Sequence, residues 1–402
     1  MKSLKELYRI GKGPSSSHTM GPQKAAQIYA ERHPEARRFE VTLYGSLAAT
    51  GKGHMTDQAI IDVLSKIAPV EIIWQPHEFL PFHPNGMMFK ADDSDAWTVY
   101  SVGGGALSEG KAEGDMFDSG GDVYEMNTIR EILHWCKKGG HGYWEYVEQS
   151  EGKEIWDYLK EVWEAMKAAV ERGLDAEGAL PGPLGLPRKA ATFYIKAQGF
   201  RDAVRYREML YSYALAVSEE NAAGGIIVTA PTCGSCGVLP ATLYQQHHNF
   251  GFSEKRILRA LATAGLFGNV AKQNASISGA DVGCQGEVGV ACAMAAAASC
   301  QLYGGSPSQI EYAAEMGLEH HLGMTCDPIC GLVQIPCIER NAFAAARAAD
   351  SNLYAITSDG RHRISFDRIL EVMKRTGHDL PSLYKETGEG GLALEYDAFE
   401  NG

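Results

Sequence analysis

Three cysteines in the C-terminal half have the residue type and the setting that most directly indicate chemistry. Cys284, Cys326 and Cys337 are separated by 42 and 11 residues, and each lies in a turn beside glycine or proline. These spacings fit neither a CxxC pair nor a local zinc knuckle, so a shared site must be assembled by the fold. Three thiolates suit an iron–sulfur cluster, whose fourth iron would lack a cysteine and act as a Lewis acid. The alternative is that all three are buried as small apolar side chains.

Two histidines in the N-terminal part lie in segments that suit a small anionic substrate. One belongs to a hydroxyl-rich run before a predicted helix, where backbone N–H groups and hydroxyls favour a carboxylate. The other, His54, follows Gly51-Lys52-Gly53, and an imidazole there suits proton transfer near neutral pH. The alternatives are a helix-capping run with a solvent-facing histidine and a surface histidine in a loop. The candidate residues of the first run are Ser15, Ser16, Ser17, His18 and Thr19.

Several long motifs, in the same order, resemble the iron–sulfur-dependent bacterial L-serine dehydratases, also called L-serine ammonia-lyases. The resemblance runs from about Tyr8 to Leu394. The motifs are Gly-Pro-Ser-Ser-Ser-His18-Thr, Tyr-Gly-Ser-Leu-Ala-Ala-Thr-Gly-Lys-Gly-His54, Phe-His83-Pro-Asn-Gly-Met, Ser-Gly-Ala280-Asp-Val-Gly-Cys284-Gln-Gly-Glu, Gly-Met-Thr-Cys326-Asp-Pro and Pro-Cys337-Ile-Glu-Arg-Asn.

The resemblance implies a lyase that converts L-serine to pyruvate and ammonia with a [4Fe-4S] cluster held by Cys284, Cys326 and Cys337. It implies that the run from Ser15 to Thr19 faces the catalytic centre, with His54 as the base or proton carrier and His18 as the next candidate. Two further residues, Asn85 and Arg340, are predicted to bind substrate, and the planar guanidinium of Arg340 matches a carboxylate.

Other assignments remain open at this point. The same site would accept L-threonine or L-cysteine, and the cysteine-rich half alone would permit a non-catalytic redox or zinc sensor. Cys233 and Cys236 form a CxxC, which we interpret as structural, and Cys330 competes with Cys326 as a ligand. Some relatives carry a cysteine in the tail that caps the open iron. This tail has none, and Glu395, Asp397 or the terminal carboxylate are the candidate substitutes.

Composition limits the partners. The chain has 402 residues, 45% of them hydrophobic and 22% charged, with a formal charge of −13 and no basic stripe. This balance predicts a globular protein with a small amino-acid substrate, and neither a nucleic-acid nor a membrane partner. The opening residues are too polar for a signal peptide, so we expect a cytoplasmic location, where cysteines stay reduced.

The elements that must position these residues form an α+β fold. Alternation typical of strands covers 39–44, 70–74, 87–90 and 97–102, and helical spacing covers 21–31 and 56–67. Helical patterns then dominate: 128–137, 154–172, 203–218, 254–272, 287–303, 307–319, 338–350 and 366–375. We predict an N-terminal α/β domain over 1–138 and a helical catalytic domain over 139–402. The first resembles an allosteric substrate-binding domain, which hints at a homodimer.

Overall fold

The computed structural model describes residues 1–110 and 121–395, and its first half contains a five-stranded mixed sheet. Its elements are β1 (Ile10–Lys12), α1 (Gly21–Arg32), β2 (Phe39–Tyr44), α2 (Gly45–Ala49), α3 (Thr56–Leu64), β3 (Val70–Gln75), β4 (Gly86–Ala91), β5 (Trp97–Ser101) and β6 (Leu107–Ser108). Strand order is β3-β2-β4-β5-β6, with β2 and β3 parallel and the other neighbours antiparallel. The four predicted strands are confirmed, as is the predicted helix from Gly21, whereas α3 ends three residues earlier than its pattern predicted.

The central strand β2 organises the core of this first unit. Phe39, Val41 and Leu43 are fully buried, and Tyr29 of α1 packs beside them with its ring stacked on Trp97 at 5.8 Å. Helices α1 and α3 pack on each other, and both contribute residues to this core. The sheet therefore forms a firm base for the loops that follow β2 and β3, where His54 and His83 lie.

The rest of the described chain is mostly helical, as predicted. Its elements are α4 (Ile129–Gly139), α5 (Tyr143–Glu151), α6 (Ile155–Asp175), α7 (Ala190–Gln198), α8 (Asp202–Ala222), β7 (Ile226–Val228), α9 (Val238–Phe250), α10 (Glu254–Asn274), α11 (Gly279–Val282), α12 (Val288–Leu302), α13 (Pro307–Glu319), α14 (Cys337–Thr357) and α15 (Phe366–Asp379). Ser253 is the N-cap residue of α10, but its side chain makes no capping hydrogen bond.

Helix α12 is the centre of the helical unit. It consists mainly of alanine and other small residues, is buried along almost its whole length, and packs against α9, α10, α13 and α14. Small side chains let neighbouring backbones approach closely: a Cβ added to Gly317 of α13 would lie 3.0 Å from the Cα of Ala293. The helix predicted over 287–303 is thus confirmed. Among the described residues, no helix combines the length and the apolarity needed to cross a membrane.

The two units are joined by more than one crossing of the chain. One hydrophobic core collects residues between 25 and 107, whereas the other combines Met1–Tyr8 with residues between 124 and 373. Strand β1 leaves the second core and pairs antiparallel with β7, so that Ile10 faces Val228. The first residues of the chain therefore belong structurally to the helical unit. The domain boundary at residue 138 stays a prediction.

Candidate active site between the two units

The three predicted ligand cysteines come together in the helical unit from three different elements. Cys284 lies in the 3-10 turn Gly283–Gln285, Cys326 in the loop after α13, and Cys337 is the first residue of α14. All three are buried. A helix N-terminus favours negative charge, which suits Cys337 as a thiolate. The fold thus brings together three cysteines that are far apart in the sequence.

A glutamate that the sequence reasoning passed over lies between two of these thiols. The Glu287 Oε2 atom is 3.7 Å from the Sγ atoms of both Cys284 and Cys326. These three residues place their ligand atoms within 4.8 Å of one another, which qualifies them as a candidate metal centre. The other carboxylate oxygen of Glu287 accepts a 2.7 Å hydrogen bond from Thr232 Oγ1. Its position directly after Gly-Cys284-Gln-Gly was the available signal.

Arg340 lies beside the thiols. Its Nη1 donates to the Thr325 carbonyl at 2.7 Å, Nη2 is 3.9 Å from Asp327 Oδ1, and the guanidinium also interacts with the Cys284 sulfur. A fixed cation at this place offsets the negative charge of three thiolates. Its predicted contact with a substrate carboxylate stays a prediction.

His18 and His54 face each other in the first unit. Their ring centroids are 4.5 Å apart, and two threonines cross-link the segments: Thr19 Oγ1 donates to the His54 carbonyl at 2.7 Å and Thr56 Oγ1 donates to the His18 carbonyl at 2.6 Å. Both histidines are buried, with exposed fractions of 0% and 2%. The structure therefore brings together the two histidines that were predicted from separate motifs.

The hydroxyl-rich run forms a compact π-helical turn, Ser16–Met20, capped by Ser15. Ser15 Oγ accepts a hydrogen bond from the His18 amide at 3.0 Å and lies 3.3 Å from Ser17 Oγ. Ser17 Oγ lies 2.9 Å from His18 Nδ1. The alternative interpretation of this run, helix capping with a solvent-facing histidine, is wrong for His18, which is fully buried. Its hydroxyls orient His18.

Hydrogen bonding fixes the tautomer of His18. The Ser46 hydroxyl donates its only proton to the Glu386 carbonyl at 3.0 Å, so its oxygen must accept from His18 Nε2–H at 3.2 Å. Neutral His18 then accepts at Nδ1 from the Ser17 hydroxyl. Both ring nitrogens of His18 are occupied, whereas the Nδ1 atom of His54 is buried without a hydrogen-bond partner in the described part of the chain.

Asn85 lies on the sheet side of the same region. It is fully buried, donates through Nδ2 to the Ser101 carbonyl at 3.3 Å, and receives no hydrogen bond at Oδ1 within the described residues. The Nε2 atom of His83, two residues earlier, is also buried without a hydrogen-bond partner in the described part of the chain. His83 is close enough to His18 to lower the pKa of His18. Asp281 in turn is close enough to His83 to raise the pKa of His83. Substrate binding by Asn85 stays a prediction.

Glu386 connects the histidine group to the thiol group. Its backbone carbonyl accepts the Ser46 hydrogen bond, its amide donates to the Cys326 carbonyl at 2.7 Å, and its Oε1 lies 3.8 Å from Cys326 Sγ. The sequence reasoning missed this residue. The only local signal is its place just before the glycine-rich segment 388–391. The residues that it contacts in the site, Ser46 and Cys326, lie far away in the sequence.

Burial governs the protonation of these groups. It lowers the pKa of His18 to about 4, and it lowers the pKa of His54 well below its usual value, with the neighbouring His18 adding to the effect. The hydrogen bond with Cys284, followed by burial, raises the pKa of Cys326, and burial raises that of Cys337. Both histidines are therefore neutral near pH 7, and the Cys326 and Cys337 thiols need a metal to stay deprotonated.

Two of the other cysteines, Cys233 and Cys330, lie next to residues that belong to this site. All nine cysteines fall within the described residues, and none of them forms a disulfide bond. Cys233 is buried 3.4 Å from Met20 Sδ, in the loop whose Thr232 holds Glu287, while Cys330 lines a separate pocket with Lys52, Gly53 and Leu332. Of the proposed tail substitutes, Glu395 is exposed and Asp397 lies outside the described residues.

Comparison with known proteins agrees with this geometry. The family described as "Serine dehydratase alpha chain" matches residues 49–393, and "Serine dehydratase beta chain" matches residues 3–75. L-serine dehydratase 1 of Escherichia coli K12 is 40% identical, covering 98% of this chain and 99% of its own. The L-serine dehydratase of Streptomyces coelicolor is 42% identical, with 98% of each chain covered, and that of Haemophilus influenzae is 39% identical, with 98% and 99% covered.

These matches extend over nearly the whole chain and include both the histidine segments and the cysteine segments. The resemblance stated from the motifs is thereby confirmed. The chain belongs to the serine dehydratase family.

Proposed function

We propose that this protein deaminates L-serine to pyruvate and ammonia, using a [4Fe-4S] cluster held by Cys284, Cys326 and Cys337. The relatives named above carry the name L-serine dehydratase. The observation that supports the proposal most strongly is that Glu386 contacts both groups of residues. It accepts from Ser46, which holds His18, and it touches Cys326, so a molecule of serine's size would meet both groups at once.

The donor set fits an iron–sulfur cluster. The three thiols are soft ligands, they are buried, and Arg340 is present to offset their charge. When bound, a cluster with one iron free of protein ligands supplies a Lewis acid toward the serine hydroxyl. Glu287 contacts two of the thiols and is held by Thr232, which suits it to orient the ligands.

His54 is the residue we assign as the base that removes the α-proton. It is neutral near pH 7, and its unpartnered Nδ1 can accept a proton without breaking a hydrogen bond. His18 is a positioning residue, since both of its nitrogens are already engaged. Loss of the α-proton and of hydroxide from the β-carbon gives aminoacrylate and water. Aminoacrylate then tautomerises and hydrolyses to pyruvate and ammonia.

The substrate carboxylate is assigned to the hydroxyl-rich run and its neighbours. Ser15, Ser16, Ser17 and Thr19 are buried next to His18 in the chain, and Asn85 is buried with its Oδ1 atom unpartnered within the described residues. Buried polar groups of this kind need partners, and a bound carboxylate accepts hydrogen bonds from hydroxyl and amide donors.

Metal analysis and turnover on anaerobically reconstituted protein test the proposal. We expect about four irons per chain and pyruvate from L-serine. Parallel kinetics with L-threonine and L-cysteine test the substrate, and a higher kcat/KM for either would replace L-serine in the proposal. Activity in iron-free protein would overturn the cluster mechanism. Zinc in place of iron, with no turnover of any of the three amino acids, would favour the sensor alternative.

The homodimer is the second part of the proposal. It rests on the resemblance of the first unit to an allosteric substrate-binding domain. Sedimentation velocity over a range of protein concentrations should show twice the 43.6 kDa mass of the chain. A single chain at all concentrations would refute this part alone.

A further inference from the structure

Glu386 is fixed in place more firmly than its position in an irregular segment implies. Its amide donates to the Cys326 carbonyl at 2.7 Å, and the Cys326 amide donates to the Tyr384 carbonyl at 2.8 Å. The carbonyl of Glu386 accepts from Ser46 Oγ. Its φ is +56°, a left-handed conformation that glycine would adopt with less strain. A strained backbone held from both sides by hydrogen bonds is typical of a residue whose side chain is used.

The side chain of Glu386 has an unused oxygen. Only 8% of the residue is exposed, and Oε2 is buried without a hydrogen-bond partner among the described residues. Glu287 differs, because Thr232, Cys284 and Cys326 engage its two oxygens. Leaving a buried carboxylate oxygen without a partner is costly, so the site is complete only when a donor or cation arrives.

The surroundings of Glu386 indicate which charge that partner carries. A second carboxylate lies close by: a Cβ placed on Gly279 would be 2.9 Å from Glu386 Oε1 and 2.7 Å from Glu287 Oε2, so the two carboxylates converge on one point. The adjacent lysine, Lys385, turns away and donates to the Gly377 carbonyl at 3.1 Å. A carboxylate or a neutral hydroxyl of a ligand would leave this accumulation of negative charge uncompensated, whereas a cationic donor would relieve it.

We infer that the carboxylate of Glu386 binds the α-ammonium group of the amino-acid substrate. This inference rests on the proposed function. Glu386 lies between Cys326 and the Ser46–His18 pair, so an ammonium held there places the neighbouring α-carbon between the metal centre and the histidines. Glu386 therefore selects amino acids against hydroxy acids of the same shape.

The test compares two ligands that differ only in the ammonium group. L-serine and 3-hydroxypropionate share the carboxylate and the hydroxyl, so KM for the first and the competitive inhibition constant of the second are measured on reconstituted enzyme. In Glu386→Gln we expect KM for L-serine to rise about 10- to 100-fold, because a charge-assisted hydrogen bond is lost, while the inhibition constant of 3-hydroxypropionate changes less than about 3-fold. Glu389→Gln, an exposed carboxylate in the same segment, is the matched control and should leave both constants unchanged.

Each other outcome has a separate meaning. If both constants rise equally in Glu386→Gln, Glu386 merely supports the site and the inference is wrong. If iron content and visible absorption fall instead, Glu386 is a metal ligand and the inference is also wrong. Glu386→Asp keeps the charge but shortens the side chain, so the ratio of KM for L-serine to the inhibition constant of 3-hydroxypropionate should change less than in Glu386→Gln. If Glu386→Gln fails to fold, Glu386→Asp takes its place in the test. Wild-type enzyme that makes no pyruvate from L-serine would reject the proposed function itself.

Discussion

Replacing His54 by Ala tests the division of roles between the two histidines. His18 lies close by, with ring centroids 4.5 Å apart, but its nitrogens are engaged by Ser17 and Ser46. It cannot take over as base without losing one of those hydrogen bonds. We therefore expect the full effect of removing a general base, a fall in kcat of about 100- to 10,000-fold. That fall corresponds to about 3–5 kcal/mol of lost transition-state stabilisation.

The metal centre should survive this substitution. His54 contacts Thr19, Thr50 and His18, and its contact with Thr19 is made by the backbone carbonyl, which alanine retains. Iron content and visible absorption should therefore match those of the wild-type protein, while pyruvate formation falls. The matched control is His77→Ala, an exposed histidine in the same unit, which should keep wild-type turnover. A His54→Ala enzyme with intact cluster and turnover within about threefold of wild type would refute the assignment and move the base to His18.

Three further predictions concern the metal site and the histidine environment. Cys326→Ser should lose iron and activity together, because a hydroxyl is a harder and poorer ligand, whereas Cys330→Ser should retain both; full iron in Cys326→Ser would show that the ligand set is wrong. In Gly279→Ala the new Cβ would lie 2.7 Å from Glu287 Oε2, 2.9 Å from Glu386 Oε1 and 3.0 Å from Cys326 Sγ. Iron uptake should therefore fall in this variant. The control is Gly199→Ala, which should bind iron normally because the nearest atom to its new Cβ is 3.4 Å away. Because folding lowers the pKa of His18 from 6.5 to about 4, the unfolded chain binds more protons between those values, so unfolding free energy should decrease as pH falls through this window; urea titrations of cluster-free protein should show a smaller decrease in His18→Gln, and an equal decrease would contradict the assignment.

The sequence predicted much of the fold because its periodic patterns are strong where one face of an element is exposed. Helix α13 and β2 were predicted to the residue, and α15 was predicted from its first residue, because buried Phe366, Ile369, Leu370 and Met373 recur there at helical spacing. Helix α9 was not predicted. Its first nine residues, Val238 to Gln246, are all buried, so no polar face produces a helical period, and Pro240 interrupts the pattern further.

The candidate site divides in the same way. Cysteines and histidines in glycine-rich turns attract attention by residue type, and the structure brings His18 and His54 together. Glu287 and Glu386 are ordinary surface residues by type, and their importance comes from burial and from partners far along the chain. Thr232, Ser46 and Cys326 supply those partners, at positions that no local pattern connects.

The pairing of β1 with β7 has a consequence for synthesis on the ribosome. Strand β1 ends at Lys12, and its partner begins at Ile226, so roughly 210 residues and about 10–40 s of translation separate the two at ordinary elongation rates. During that interval Leu4, Leu7 and Tyr8, which end fully buried in the helical core, have no core to enter. The residues of the sheet unit are synthesised in this interval, whereas the segment before β1 has no partner yet. We therefore expect nascent chains stalled before Ile226 to bind holdase chaperones through the segment that contains Leu4, Leu7 and Tyr8. The chaperones should be released once β7 and α10 have emerged from the ribosome.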